Sequence, residues 1–272
     1  MKNRLGIIGG GQLGMMIAEA AKNLSEHISE ITVLDPTENC PAAQAGAKQI
    51  VGDFKDEIAI LKLAEQSDII TYEIESGNTD VLSKLKAEIE PSPSTLGIIQ
   101  DKLSQKIFLS ENGLPVPQFY EITSLDDLRK KIKDLGLPEL LKSRTDAYDG
   151  RGNIKITSSH EDEKAYQPFD GKSLTVEKFV NFKKEVSMKA ARKTKGDITT
   201  YPLAENIHQN KSIKTTIAPA RVSDYVMNDA GKIAKKTMEV LKGAGVFGIE
   251  MFIDQDDKIL INEIAPRVHN SG

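Results

Sequence analysis

Two glutamates near the end of the sequence, Glu250 and Glu263, stand in apolar runs that read as neighbouring strands. Side chains alternate along Val246 to Ile253, so Phe247, Ile249, Met251 and Ile253 share one face. Glu250 therefore points the other way, with Gly248 and Phe252. The polar stretch Asp254-Gln255-Asp256-Asp257-Lys258 makes a hairpin connection to a second run ending at Ala265. A hairpin centred near Asp256 places Glu250 opposite Asn262 or Glu263. Adjacent carboxylates repel unless something positive sits between them. A divalent cation meets that need, and magnesium takes one or two carboxylates together with nucleotide phosphates. The competing register turns one glutamate to solvent.

The middle of the chain supplies what a metal-bound triphosphate requires. Lys102 and Lys142 can act as phosphate-binding point charges. The loop Ala147-Tyr148-Asp149-Gly150-Arg151-Gly152-Asn153 offers backbone amides and an arginine able to fold over phosphates. Each lysine alone reads as an ordinary surface residue; the case rests on the set.

A third feature opens the chain. Gly9-Gly10-Gly11-Gln12-Leu13-Gly14 has the spacing G-x-G-x-x-G between a strand and a helix, and Asp35 ends the next strand. That pattern suits a dinucleotide, with glycines admitting a phosphate to the helix N-terminus and the acid on a ribose. The loop itself shows only that a phosphate or carboxylate could dock, or that the turn is tight. The α/β pattern also breaks at Pro91, too early for two complete mononucleotide-binding halves.

The elements that must position these groups are legible in outline. Strands Leu5–Ile8, Ile31–Leu34 and Asp68–Tyr72 alternate with helical patterns over Gln12–Leu24 and Ile58–Ala64, which predicts βαβ units and a parallel sheet. Glu90-Pro91-Ser92-Pro93-Ser94 is a breaker, because each proline biases its predecessor away from the helix. A helix is expected over Ile98–Glu111, strands around the loop Thr145–Gly152, and a helix over Ala230–Lys242. The fold class is α/β, with domains at 1–95 and 96–272.

With 36 Lys+Arg against 40 Asp+Glu and a net charge of -4, no basic arm exists for nucleic acid. No run has the length of a membrane span and the N-terminus has no signal-peptide pattern, so a cytoplasmic protein is expected. The single cysteine, Cys40, supports neither an internal disulfide nor a thiolate zinc site.

The ending Asn262-Glu263-Ile264-Ala265-Pro266-Arg267-Val268-His269-Asn270-Ser271-Gly272 resembles the terminal motif of the 5-(carboxyamino)imidazole ribonucleotide synthases, ATP-grasp ligases of purine biosynthesis. So do Gly9 to Gly14, Asp101-Lys102 with Gln105-Lys106, and Tyr148 to Gly152. Glu177 to Val180, Glu185-Val186-Ser187 and Glu205 to Asn210 extend the resemblance in order along essentially the whole chain.

The resemblance implies a biotin-carboxylase-like N-terminal parallel-sheet domain followed by a two-lobed α+β ATP-grasp domain, with lobes at about 96–178 and 179–272. It implies ATP and Mg2+ as cofactors, with aminoimidazole ribonucleotide and bicarbonate as the other substrates, and a homodimer. Lys102 and Lys142 would contact ATP, Ala147 to Asn153 would cover its phosphates, and the backbone of Glu177, Lys178, Phe179 and Val180 would hold adenine. Glu185 would bind ribose, His208 would line the site, and Glu250 and Glu263 would hold magnesium with Asn262 beside them. Gly11, Gln12 and Leu13, with Arg267, His269, Asn270 and Ser271, would take the ribonucleotide and bicarbonate, and Arg267, Lys142 and Arg151 would serve the chemistry.

Three features depart from the family pattern. Asp146-Ala147 replaces a second glycine before Tyr148, and Lys102 stands where some members have arginine. The family's further β-rich lobe, roughly a hundred residues long, is absent from these 272 residues. The rival readings are a formate-dependent glycinamide ribonucleotide transformylase, an NAD-dependent oxidoreductase, and a binding protein without turnover.

Overall fold

The computed structural model describes residues 2–145, 152–169, 171–209 and 212–271. Its first unit is a five-stranded, wholly parallel sheet: β1 (Asn3–Ile8), β2 (Ile28–Asp35), β3 (Lys48–Val51), β4 (Ile69–Tyr72) and β5 (Glu88–Ile89), in the order β3-β2-β1-β4-β5. Helices α1 (Gln12–Lys22), α2 (Pro41–Gln44), α3 (Glu57–Glu65) and α4 (Thr79–Leu82) connect them. Adjacent residues Ile7 and Ile8, both fully buried, feed separate cores. Ile7 packs with Ala18, Val33 and Cys40, and Ile8 with Leu34, Ile60 and Leu63. This is the two-sided burial that a parallel sheet requires.

The expected single helix after the proline-rich breaker is two helices, α5 (Pro93–Gln100) and α6 (Lys102–Glu111). Pro93 starts α5 with Ser92 as its cap, the position where a missing N–H costs nothing. Asp101 is extended and its carboxylate accepts from the amides of Leu103 (2.9 Å) and Ser104 (3.1 Å), so it ends one helix and caps the next.

A four-stranded antiparallel sheet follows, in the order β6-β9-β7-β8. It comprises β6 (Phe119–Ile122), β7 (Glu139–Ser143), β8 (Asn153–Ile156) and β9 (Leu174–Lys178), with α7 (Leu125–Leu135) and α8 (Asp162–Tyr166) packed against it. The last unit is a larger antiparallel sheet of β10 (Phe182–Arg192), β11 (Ile198–Thr200), β12 (Ala204–Gln209), β13 (Ser212–Ile217), β14 (Gly245–Asp254) and β15 (Ile259–Ala265). Its order is β13-β12-β10-β14-β15, with β11 added on β10.

Helix α9 (Asp224–Leu241) starts at Ser223, whose hydroxyl accepts from the Val226 amide, and buries Val226, Ala230, Ala234 and Met238 at fourfold spacing. Burying Met238 alone stabilises by about 1.5–3 kcal/mol. Phe247, Ile249, Met251 and Ile253 are all fully buried under it, on the face that strand alternation assigns them.

The first unit is tied to this last sheet. Thr95 Oγ1 donates to Leu241 O (3.3 Å) and the Ala244 amide to Glu90 Oε2 (3.2 Å). Gly243 and Gly245 line the contact because a Cβ there would come within 2.8 Å of Thr95 Oγ1 and 3.2 Å of Pro91 Cγ.

Candidate nucleotide and metal site

In the hairpin of β14 and β15, Ile253 pairs with Ile259 and Met251 with Ile261, a regular register that would set Glu250 against Asn262. A bulge between Glu250 and Met251 advances the partner by one residue, and Glu250 stands opposite Glu263. Asn262, the extra residue, turns its amide to Glu250 Oε2 (3.3 Å). Glu250 Oε1 is 2.9 Å from His269 Nε2. The Ser271 amide donates to His269 Nδ1 (3.3 Å), which leaves Nε2 as the donor to Glu250. His269 gets this close because Gly248 has no side chain: a Cβ there would lie 2.7 Å from the histidine Cβ and Cγ.

The lysines converge on the same place. Lys102 Nζ reaches Glu263 Oε1 at 2.5 Å, joining the start of α6 to β15. Burial disfavours the Lys102 charge, but Glu263 outweighs it and raises its pKa. Lys142, on β7, donates to Glu177 Oε2 on β9 at 2.9 Å, with both side chains buried. Burial also acts against the Glu177 charge, yet Lys106, Lys142 and Lys102 hold its carboxyl down at about 2. Glu177 thus has a side-chain part beyond the backbone contact expected of it, and Lys106, 2% exposed and given no role by the sequence motif it lies in, joins the network.

Around the cleft, Glu185 and His208 meet across β10 and β12, with His208 Nε2 3.4 Å from Glu185 Oε1. Burial, and then the nearby Glu250 carboxylate, push Glu185 up to about 8. Phe252, on the Glu250 face, stacks on Phe182 with ring centroids 4.6 Å apart, an aromatic surface beside the cleft. Phe179, Val180 and Lys178 line a cavity of about 430 Å³ with Gln118 and Leu260. Lys178 Nζ also caps the carbonyl of Leu135 (2.8 Å) and that of Gly136. Gly152 and Asn153 lead into β8, whereas Ala147, Tyr148, Asp149, Gly150 and Arg151 lie outside the described residues.

The glycine loop joins β1 to α1, with Gly11 as N-cap, Gln12 exposed and Leu13 half-buried. Asp35 is spent on backbone, accepting from the amides of Gly10 and Thr37, both at 2.8 Å. The Glu73 carboxylate lies over the loop, with Oε2 2.4 Å from where a Gly9 Cβ would stand, and accepts from the Gly11 amide. Glu73 there opposes a dinucleotide pyrophosphate, and Asp35, already committed to backbone amides, is not available to a ribose, so the oxidoreductase reading loses its support. Glu73 was legible only as the residue after a strand at the C-terminal edge of a parallel sheet.

Arg267 faces this first unit, its Nε 2.9 Å from Glu75 Oε1, an ion pair not aligned as a hydrogen bond. Ser271 and His269 are buried, and Ser271 Oγ also meets Ser187 Oγ at 2.7 Å, so both turn inward, while Asn270 is exposed. A cavity of about 380 Å³ separates Lys102, Arg144 and Glu263 from Glu75, Gly77 and Asn78 of the first unit.

Among the described residues no cluster of three His, Cys, Asp or Glu forms a ready metal cage. The paired carboxylates with Asn262 nevertheless fit magnesium, which needs few protein ligands and prefers oxygen. The Lys102 ammonium on Glu263 shows that this pair accepts a positive charge.

Residues 1–100 match the ribonucleotide synthetase preATP-grasp domain, and residues 107–272 the ATP-grasp domain. The N5-carboxyaminoimidazole ribonucleotide synthase of Staphylococcus saprophyticus is 36% identical over 270 residues, covering 98% of this chain and 71% of that protein. The chain belongs to this ATP-grasp family. Phosphoribosylaminoimidazole carboxylase of Ogataea methanolica is 41% identical over 98% of the chain but 50% of its own length, so the chain spans about half of some curated relatives it matches. The solved N5-carboxyaminoimidazole synthase of Aspergillus clavatus, in complex with ADP and 5-aminoimidazole ribonucleotide, superposes with a TM-score of 0.92 at 36% identity, covering 100% of this chain and 71% of that one. The architecture of a parallel-sheet domain followed by a two-lobed ATP-grasp domain is thereby shown, and among the described residues no helix is long and apolar enough to cross a membrane.

Proposed function

We propose that the chain carboxylates 5-aminoimidazole ribonucleotide with bicarbonate, converting ATP to ADP and phosphate and giving 5-(carboxyamino)imidazole ribonucleotide. The carrying observation is the direct pairing of Glu250 with Glu263 beside Lys102, in a fold shared with synthases solved with ADP and the ribonucleotide.

Bicarbonate is anionic and has a poor leaving group. Transfer of the terminal phosphoryl group to a bicarbonate oxygen gives carboxyphosphate and ADP. The ribonucleotide amine then attacks the carboxyl carbon, forming the C–N bond as phosphate leaves and the amine loses a proton. The work asked of the protein is positioning and charge neutralisation. Lys102 and Lys142 would take phosphate oxygens, with Arg151 from the loop outside the described residues. Arg267 would present its fork to the planar anion. Glu177 to Val180 would hold adenine and Glu185 the ribose, His208 would line the nucleotide site, and Gly11 to Leu13 with His269 to Ser271 would form the ribonucleotide end of the cleft. Glu250 and Glu263, with Asn262, would hold magnesium, which when bound neutralises phosphate charge. We place the domain boundary at 95/96 and the lobe boundary at 178/179, and expect a homodimer, which sedimentation would test.

The test of the reaction is ADP release from MgATP and bicarbonate, with and without the ribonucleotide. Ribonucleotide-dependent release establishes the reaction in these 272 residues; its absence overturns the activity for this chain.

A further inference from the structure

Lys106 is buried at 2% exposure in a helix whose other lysine near the cleft, Lys102, already reaches Glu263. Its ammonium donates to Ile261 O on β15 at 3.1 Å and lies 3.5 Å from Glu177 Oε2 on β9. It therefore touches both lobes from a third element. Its neighbour Gln105 does the same for β15, accepting from the Ile264 amide at 3.1 Å. The Glu177 oxygen that Lys106 approaches is the one Lys142 uses, at 2.9 Å. One buried carboxylate thus serves two ammonium groups.

A buried ion pair is a poor source of stability, since apolar residues of the same volume do as well. A pair of Lys142 and Glu177 alone would be electrically satisfied and would hold Lys142 back from any other anion. A second cation on the same oxygen divides that carboxylate's charge, so Lys142 is less tightly held by it and keeps positive charge to offer an incoming anion.

We infer that Lys106 is a positioning residue for nucleotide binding: it shares the charge of Glu177 so that Lys142 is available to the phosphates. The inference rests on the reading of Lys142 as a nucleotide ligand. Burial pulls the Lys106 pKa down to about 8 against Glu177, which leaves the ammonium charged at neutral pH.

Binding of MgADP, measured by calorimetry on the full chain, tests it, with folding followed by circular dichroism. Lys106→Met keeps the length and removes the charge; it is expected to weaken MgADP binding about tenfold. Lys106→Met combined with Glu177→Gln removes both the shield and the sink, and is expected to regain most of that loss. Glu177→Gln alone is expected to tighten binding. Unchanged affinity in a folded Lys106→Met protein, or a double variant as weak as the single one, overturns the inference. Should Lys106→Met not fold, Glu177→Gln alone gives the decision, because weaker binding there overturns it. A wild-type chain that binds no MgADP would overturn the nucleotide reading itself, a result distinct from any of these.

Discussion

Glu250 and Glu263 stand directly opposite each other on β14 and β15, and each is held from a different side: His269 Nε2 lies 2.9 Å from Glu250, and Lys102 Nζ 2.5 Å from Glu263. The two acids are oriented before any cation arrives. Like charges directly opposite on a sheet are otherwise destabilising, so the geometry is one that a metal-bound anion would complete.

Removing either acid tests this. Glu250→Ala and Glu263→Ala should each abolish magnesium-dependent ADP release, a loss of 10²-fold or more (about 3 kcal/mol in barrier). Turnover retained in both variants would remove the pair from the mechanism.

Gly248→Ala tests the support of Glu250 without touching an acid. The added Cβ, 2.7 Å from His269, must push the ring off Glu250. A magnesium titration of ADP release should shift to higher metal concentration by about tenfold, in the range seen when groups supporting a metal ligand are changed. An unshifted titration would show that His269 does not orient Glu250.

Arg144, just past β7, holds that strand to the start of α6. It binds Asp101 through Nε and Nη2 (2.6 Å at the closest) and Glu121 through Nη1 (2.6 Å), while its carbonyl accepts the Lys102 amide at 2.9 Å. Arg144→Lys keeps the charge and loses the fork. We expect the KM for ATP to rise about tenfold with a smaller change in kcat, the pattern of lost ground-state binding. Equal falls in kcat and kcat/KM would place the effect in the transition state instead.

Glu139 gives a pH prediction. It is fully buried, with no hydrogen-bond partner for either oxygen among the described residues, and burial, opposed by Lys178, raises its pKa from 4.5 to about 7. The folded state holds this proton more tightly than the unfolded chain does. Stability should therefore be full below about pH 4.5 and decline as pH rises through about 7. Glu139→Gln cannot ionise, so it should remove that decline and leave the variant the more stable of the two at pH 8. Melting temperatures of both proteins at pH 5 and pH 8 check this, and parallel shifts would refute it.

Local physics carried much of the sequence reading. Alternation along Val246–Ile253 put Glu250 and Gly248 on the face opposite the core, and the strands and helices around the glycine loop follow their apolar periods. The choice between Asn262 and Glu263 as partner was open in the sequence, because it turns on a bulge that no residue pattern announces. Lys106 lay in a motif the sequence showed, but its role did not: lysine on an amphipathic helix is normally solvated, and it is buried here by two sheets distant in sequence. The break at Asp101 was missed because its capping role needs the extended backbone found there. The commitment of Asp35 to Gly10 and Thr37 depends on loop geometry, so the same acid reads as a ribose ligand until the loop is seen.

The close fit of Gly243 and Gly245 against Thr95 and Pro91 bears on how such proteins can be recombined. A chimera that takes its N-terminal domain from one parent and its last sheet from another would need both sides of that contact from the same parent. A crossover between them that placed a larger side chain at 243 would wedge the halves apart and shift Glu75 away from Arg267. The N-terminal domain and the last sheet are therefore best exchanged together.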